Sequence, residues 1–302
     1  MILVTGSTGA IGSALIEDLA LLGAPTRALV HTPEKAGTVE RRGVEATLGD
    51  LGSPETLDAA LEDVERAFLL TPADPRQPEW EKNFVEAAER AGVRHVVKLS
   101  AFIANPDSPL RFGRTHGEGE RHLEESALSW TFVRPNSYMQ NTLSNAWSIA
   151  SERRLYSPVL DAKVALIDAR DVAAVAARVL TEEGHEGKVY ELTGPEAISN
   201  REGAEQLSTV LGQQLECVKI SFEDARQDMI GGGMPEWLAD GVIELARLQE
   251  AGYAAGLTNR VAEIIGREPR RFEEFAHDYK SAFLGARRRS LSGHPVSETT
   301  VL

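Results

Sequence analysis

Three glycines, Gly6, Gly9 and Gly12, stand at G-x-x-G-x-x-G spacing in the stretch ILVTGSTGAIG, residues 2–12. A short apolar run precedes them and an amphipathic segment follows. Glycine at the first two positions permits a tight turn and lets backbone N–H groups approach an anion closely. At the third it lets a helix pack against the preceding strand, with the helix N-terminus turned toward the charge. The spacing alone is a weak signal, but its place between a strand and a helix makes it a dinucleotide pyrophosphate loop. The contacts it offers are Gly6, Ser7, Thr8, Gly9, Ala10, Ile11 and Gly12. A plain turn without ligand is the alternative.

The second strand bears on which dinucleotide is held. An acidic residue at its tip would take the ribose 2′-hydroxyl of NAD. The strand ends instead in LVHTPEK, where His31 and Lys35 could pair with a 2′-phosphate, so NADPH is expected over NADH. A solvated Lys35 and a turn-forming His31 would leave NADH acceptable too. Asp50 and Leu51 follow the third strand, where the adenine would lie, although Asp50 could equally be a helix N-cap. Leu70, Thr71 and Pro72 end the fourth strand and Ser100 the fifth. All are cofactor candidates because ligands of doubly wound sheets sit at the carboxyl ends of strands.

The elements that must position these residues follow from the apolar rhythm. MILVT, TRALVH (26–31), VEATLG (44–49), RAFLLT (66–71), HVVKLS (95–100) and WTFVRP (130–135) read as buried strands. Helical patterns at 10–22, 54–61, 78–91 and 115–126 lie between them, which means a parallel sheet with crossover helices. The class is α/β, a doubly wound parallel sheet over residues 1–150, with strands in 160–195 completing it. A smaller, mostly helical C-terminal lobe spans 151–285. KVALIDARDV reads as a strand, an Asp cap and a helix, and GKVYELTGP as a strand and turn. A short strand is expected near ECVKIS, a flexible break at IGGGMPEW (230–237), and a disordered tail at 286–302.

Composition narrows the function. The 302 residues carry a formal charge of −14, which repels nucleic acid and anionic lipid, and ARRRS at 286–290 is the only basic cluster. No apolar run is long enough for a membrane span, and no basic leader precedes Ile2. The lone Cys217 fits a reducing compartment and a small core residue, so a cytoplasmic protein is expected. No His/Cys/Asp cluster has metal-ligand spacing, and no G-x-S-x-G elbow occurs. Lys98, inside an apolar strand, calls for a carboxylate partner, and His122 is read as surface.

TGSTGAIG, FLLTP, VVKLSA, HGEGERHLEESALSWTFVRPNSYMQN and GKVYELTGPEAIS together resemble the NmrA-like branch of the atypical short-chain dehydrogenases, over roughly residues 1 to 284. The resemblance implies a Rossmann-type fold and NADP(H). It also implies either quinone or dye reduction or an NADPH-sensing regulatory role, and a homodimer as partner state. Where a typical short-chain dehydrogenase carries Tyr-x-x-x-Lys, this chain has His116 and Glu120. Ordinary alcohol–ketone chemistry thereby loses its acid, whereas a conjugated or aromatic small-molecule acceptor delocalises the incoming charge. His116 could donate a proton near neutral pH with Glu120 orienting it, or the two could merely steady the helix. By resemblance Tyr138 and Asn141 lie beside the nicotinamide, with Tyr138 a second catalytic candidate and Met139, Trp147 and Phe112 as apolar lining. The expected activity is NADPH-dependent hydride transfer to a quinone-like or other conjugated acceptor. A non-catalytic NADP(H) sensor and a dedicated natural-product reductase are the alternatives.

Overall fold

The computed structural model describes residues 1–40 and 43–285, so the expected tail at 286–302 lies outside the described residues. The chain divides into two compact units. The first comprises residues 1–135, 170–192 and 263–265.

Its sheet is built from β1 (Ile2–Val4), β2 (Thr26–Val30), β3 (Glu45–Leu48), β4 (Arg66–Leu69), β5 (His95–Leu99), β6 (Ser129–Pro135) and β8 (Lys188–Leu192), while β7 (Arg154–Ser157) belongs to the second unit. The order is β3-β2-β1-β4-β5-β6-β8 and every pairing is parallel. β1 pairs with β2 on one side and β4 on the other, with Val4 opposite both Ala28 and Phe68. The direction of strand addition reverses there, which opens a crevice beyond the strands' carboxyl ends. The connections are α1 (Ala10–Leu21), α2 (Pro33–Glu40), the short α3 (Leu57–Ala60), α4 (Gln77–Ala91), α5 (Arg111–Glu124) and α7 (Ala169–Thr181). Leu3, Leu69, Phe84, Val96 and Phe132 form one buried cluster on the sheet, Phe132 stacking on Trp130 with centroids 4.2 Å apart. Each large side chain buried this way contributes about 2–3 kcal/mol.

α5 starts at Arg111, earlier than the expected 115, and carries three glycines that a helix normally disfavours by about 1 kcal/mol each. Packing explains them. A Cβ at Gly113 would crowd Ser108 Oγ and the Ile103 carbonyl, one at Gly117 would overlap the Asn105–Pro106 backbone, and one at Gly119 would overlap Glu81. The glycines let the 103–108 loop and the α4 side chains press directly on the helix.

The second unit comprises residues 136–169, 193–262 and 266 onward, so the first break falls at Pro135, where the sequence pattern put it at 150. From Asn136 the backbone and side chains bond within this unit: Asn136 Nδ2 donates to the Ala254 carbonyl and Met139 N–H to Ile167 O. It holds α6 (Ala146–Glu152), α8 (Asn200–Leu211), α9 (Phe222–Gly231), α10 (Glu236–Glu250), α12 (Phe272–Asp278) and α13 (Lys280–Phe283), with α11 (Arg260–Ile265) at its margin. α8 opens on a capping box in which Ser199 and Glu202 satisfy each other's backbone N–H groups. A two-stranded parallel ribbon, β7 (Arg154–Ser157) with β9 (Glu216–Lys219), was legible only in its second half. The expected strand in KVALID is absent. Val164 and Ile167 make single bridges to Ile198 and Tyr138, and Ala165 N–H reaches Ala254 O, so three different segments satisfy this stretch and no ladder forms. The core gathers Ile149, Leu207, Phe272, Phe275 and Phe283.

Candidate cofactor and active site

The glycine loop runs from β1 into α1 and is stapled to the next strands. Thr5 Oγ1 donates to the Leu70 carbonyl at 2.7 Å and Ser7 Oγ to the Leu29 carbonyl at 3.3 Å. Gly6 has φ +62°, a left-handed conformation that favours glycine, and its α-carbon lies against the Leu70 side chain. A Cβ on Gly12 would overlap the Gly6 carbonyl. Gly9 is the N-cap of α1 in extended conformation, and it offers no side-chain cap. The first-turn amides of α1 have no acceptor within the helix, and no acidic residue stands in that turn. The positive end of the helix dipole is thus left for an external anion. These features fit the diphosphate of a dinucleotide.

At the tips of β2 and β3, His31 Nδ1 lies 3.9 Å from Asp50 Oδ1, both side chains about half exposed. Asp50 is held by its own loop, accepting Gly52 N–H at 2.8 Å and donating its N–H to Thr56 Oγ1 at 2.9 Å. β2 ends without a carboxylate, but its neighbour in the sheet supplies one. Thr32 caps α2 by accepting the Lys35 N–H at 3.3 Å, which sets Lys35 in the first helical turn. Leu51 is buried beneath this loop.

Near the tips of β4 and β5 lies a buried polar cluster of which Lys98, Thr71 and His116 were singled out in sequence. Lys98 Nζ meets Glu81 Oε1 at 3.1 Å with both side chains fully buried. Thr71 Oγ1 donates to the same carboxylate oxygen at 2.7 Å, and Gln77 Nε2 donates to it at 3.0 Å. Gln77 Nε2 also lies 3.1 Å from His116 Nδ1, and Lys98 Nζ lies 3.4 Å from that nitrogen. Burial, reinforced by the Lys98 and Arg134 cations, holds the His116 pKa well below its ordinary value. Its imidazole is therefore neutral at pH 7, not a protonated acid. Glu120 does not orient His116. Its carboxylate takes the Arg134 guanidinium through both Nε, at 2.8 Å, and Nη2, because Arg134 on β6 is the nearer full charge. Gln77 and Glu81 escaped the sequence reading. The signal was a lysine inside the all-buried strand HVVKL, which demands a buried acid without saying which one.

Ser100, at the end of β5, is buried and its hydroxyl has no partner, as is common where a ligand group completes the bonding. Thr71 is part of the cluster just described, and Pro72 beside it is exposed. Phe112 is buried in α5. Tyr138, Met139, Asn141 and Trp147 belong to the second unit. There the buried Tyr138 hydroxyl and the Asn141 Oδ1 have no partner, and burial raises the tyrosine's pKa. Met139 is core and Trp147, expected as lining, stands 73% exposed. Burial raises the Cys217 thiol on β9. No helix of the described residues is long and apolar enough to cross a membrane.

Comparison with known proteins follows the same lines. The profile of the NmrA-like family matches residues 1–276. The chain is 44% identical over 283 residues to an NAD(P)H azoreductase of Xenophilus azovorans, covering 94% of this chain and 99% of that one. It is 42% identical over 287 residues to the (4-alkanoyl-5-oxo-2,5-dihydrofuran-3-yl)methyl phosphate reductase of Streptomyces griseus, covering 94% and 99%. An NADPH-dependent quinone oxidoreductase of Escherichia coli, solved with NADPH, superposes with a TM-score of 0.84 at 30% identity, covering 93% of this chain and all of that one.

Proposed function

The chain belongs to the NmrA-like family and is an NAD(P)H-dependent oxidoreductase that binds NADP(H), and we propose that its acceptor is a small conjugated π system such as a quinone or an enone. The observation that carries this reading is His116. It stands where a tyrosine acid would, it is neutral, and the residue one turn on, Glu120, is tied to Arg134. Reducing an isolated ketone leaves a localised alkoxide that needs a proton at once, and among the described residues of the Lys98–His116 cluster none is poised to give it. Reducing a quinone or enone spreads the charge over the π system, and proximity with one or two hydrogen bonds is then sufficient.

The bound nicotinamide supplies the hydride. The chain's part is to hold and orient. Gly6 to Gly12 and the start of α1 take the diphosphate, and the β4 tip with Leu70 and Thr71 and the open hydroxyl of Ser100 line the sheet edge beyond. His116 presents the nitrogen that the cluster leaves unused. The azoreductase, quinone oxidoreductase and dihydrofuranone reductase among the relatives all bear names of conjugated acceptors, which supports the class. The 42% identity to the dihydrofuranone phosphate reductase favours, as a second reading, a dedicated biosynthetic enone reductase.

Oxidation of NADPH, followed by loss of its reduced-nicotinamide absorbance against a panel of quinones, butenolides, azo dyes and simple ketones, tests the proposal. Turnover of the conjugated members with simple ketones inert is the expected result. Ketone reduction at comparable kcat/KM would overturn it.

A further inference from the structure

We propose that Lys98 and Gln77 are positioning residues that hold His116 as a neutral imidazole with its proton on Nε2, so that it meets the substrate as a fixed hydrogen-bond donor and not as an acid. The inference rests on the conjugated-acceptor reading and narrows it.

The argument begins with donor counting. Glu81 Oε1 is a carboxylate oxygen engaged by Lys98, so it only accepts. Gln77 must therefore turn its NH2 group toward Glu81, and its second hydrogen then points at His116 Nδ1, 3.1 Å away. The Lys98 ammonium carries donors only, and these are shared among Glu81, the Leu99 carbonyl at 3.3 Å and His116 Nδ1 at 3.4 Å. Two donors thus converge on one ring nitrogen. A proton on Nδ1 would set N–H against N–H inside a sealed cluster, so Nδ1 accepts and Nε2 carries the hydrogen. Nε2 has no protein partner among the described residues and is not one of the sealed, unpartnered atoms, so it faces accessible space.

Charges on every packed element point the same way. Lys98 on β5 and Arg134 on β6 oppose a second cation, and they help push the ring's pKa down. Glu81 on α4, the acid of this cluster, already takes Lys98, Thr71 and Gln77 through its Oε1. Glu120 on α5 itself faces Arg134. The Lys98 cation beside Nδ1 also draws electron density from the ring, which makes the Nε2–H a stronger donor.

The chemical consequence concerns the acceptor. A neutral imidazole that gave up its Nε2 proton would become a strongly basic anion, so His116 does not protonate the product. Hydride adds to carbon, the π pair moves to the conjugated oxygen, that anion rests on the Nε2–H hydrogen bond, and water supplies the proton afterward. The acceptor is reduced and the dinucleotide oxidised. The delocalised anions left by two-electron reduction of conjugated acceptors, such as quinones and carbonyl-conjugated alkenes, survive that wait, and the localised alkoxide from a simple ketone does not.

The test is nitrogen NMR of full-length protein labelled at histidine, with the His116 signals assigned by their loss in His116→Ala, between about pH 5.5 and pH 8 around the ordinary histidine range. One Nε2–H tautomer without titration across that span is expected. Titration within it, or a proton on Nδ1, overturns the proposal. The double variant Lys98→Met/Glu81→Gln removes the buried charges together, and it should raise the His116 pKa, because the Lys98 cation is one of the causes that lower it. The pH profile of turnover should gain an inflection at the same place. An unchanged pKa there refutes the role of Lys98. Should the double variant fail to fold, Gln77→Met removes the nearer donor without altering charge, and the Nδ1 signal should shift as that hydrogen bond is lost while Lys98 still keeps the proton on Nε2; an unshifted Nδ1 refutes the role of Gln77. A locked tautomer with no turnover of any acceptor sinks the functional reading alone, and turnover with a titrating His116 sinks the inference alone.

Discussion

Replacing each loop glycine by alanine separates what the loop does for the fold from what it does for the cofactor. At Gly12 the new methyl would overlap the Gly6 carbonyl, a backbone atom that no rotamer change can move aside. Overpacking of this kind costs about 1–3 kcal/mol, and moving the helix off the turn adds to it. Alanine's better helix propensity returns about 1 kcal/mol, so the clash wins by roughly 1–2 kcal/mol. For a chain of this size each kcal/mol lowers Tm by about 2–4 °C, so Gly12→Ala should melt roughly 2–8 °C earlier. At Gly9 the nearest heavy atom to an added Cβ is 3.5 Å away, and its φ of −77° suits any residue. Gly9→Ala should keep its stability to within about 1 kcal/mol, the usual cost of alanine at an N-cap. Its methyl would nonetheless stand where the backbone must approach the pyrophosphate, and NADPH affinity should fall about tenfold or more, at least ~1.4 kcal/mol. Thermal unfolding and titration of NADPH fluorescence read the two effects separately. A Gly12→Ala protein as stable as the parent, or a Gly9→Ala protein with unaltered NADPH affinity, would refute this account of the loop.

Three other outcomes are expected. Burial lowers the His95 pKa from 6.5 to about 4, so the unfolded chain binds the extra proton first and stability is lost as pH falls from 6.5 toward 4. The loss amounts to roughly 3 kcal/mol. Urea midpoints across that window should converge in His95→Gln, and a parallel pH slope in the two proteins would discard His95 as the cause. Arg134→Met strands the nearly buried Glu120 carboxylate, at a cost of about 2 kcal/mol once the arginine's partial exposure is allowed for. Adding Glu120→Met should recover most of the lost Tm, and a double variant no better than the single one would mean the pair is not what matters. His31→Asp places a second carboxylate beside Asp50, 3.9 Å from the present imidazole, and should shift the NADPH/NADH ratio of kcat/KM toward NADH by roughly threefold to fivefold. An unchanged ratio would take His31 out of the 2′-phosphate site.

What the chain announces by itself is what neighbouring residues decide among themselves. The glycine spacing after ILV dictates a turn and a helix start with free amides, because φ and close approach are properties of consecutive residues. The buried runs RAFL and HVVKL dictate parallel strands, because only a sheet covered on both faces tolerates them. His116 became a candidate by another route, the family resemblance, which sets it on the helix after the fifth strand where relatives carry the tyrosine of Tyr-x-x-x-Lys. The tertiary structure decided the rest. Lys98 made a buried acid necessary, but only packing chose Glu81 and brought Gln77 with it. The glycines of α5 are intelligible only once α4 and the 103–108 loop press on them. Asp50 reaches His31 from a different strand. KVALID lost its strand because three separate segments take its hydrogen bonds. Whether His116 is an acid or a neutral donor depends on Nδ1 meeting Gln77 and Lys98, residues from two other elements. A side chain's protonation is set by the charges and donors around it in space, and a linear pattern does not contain those distances.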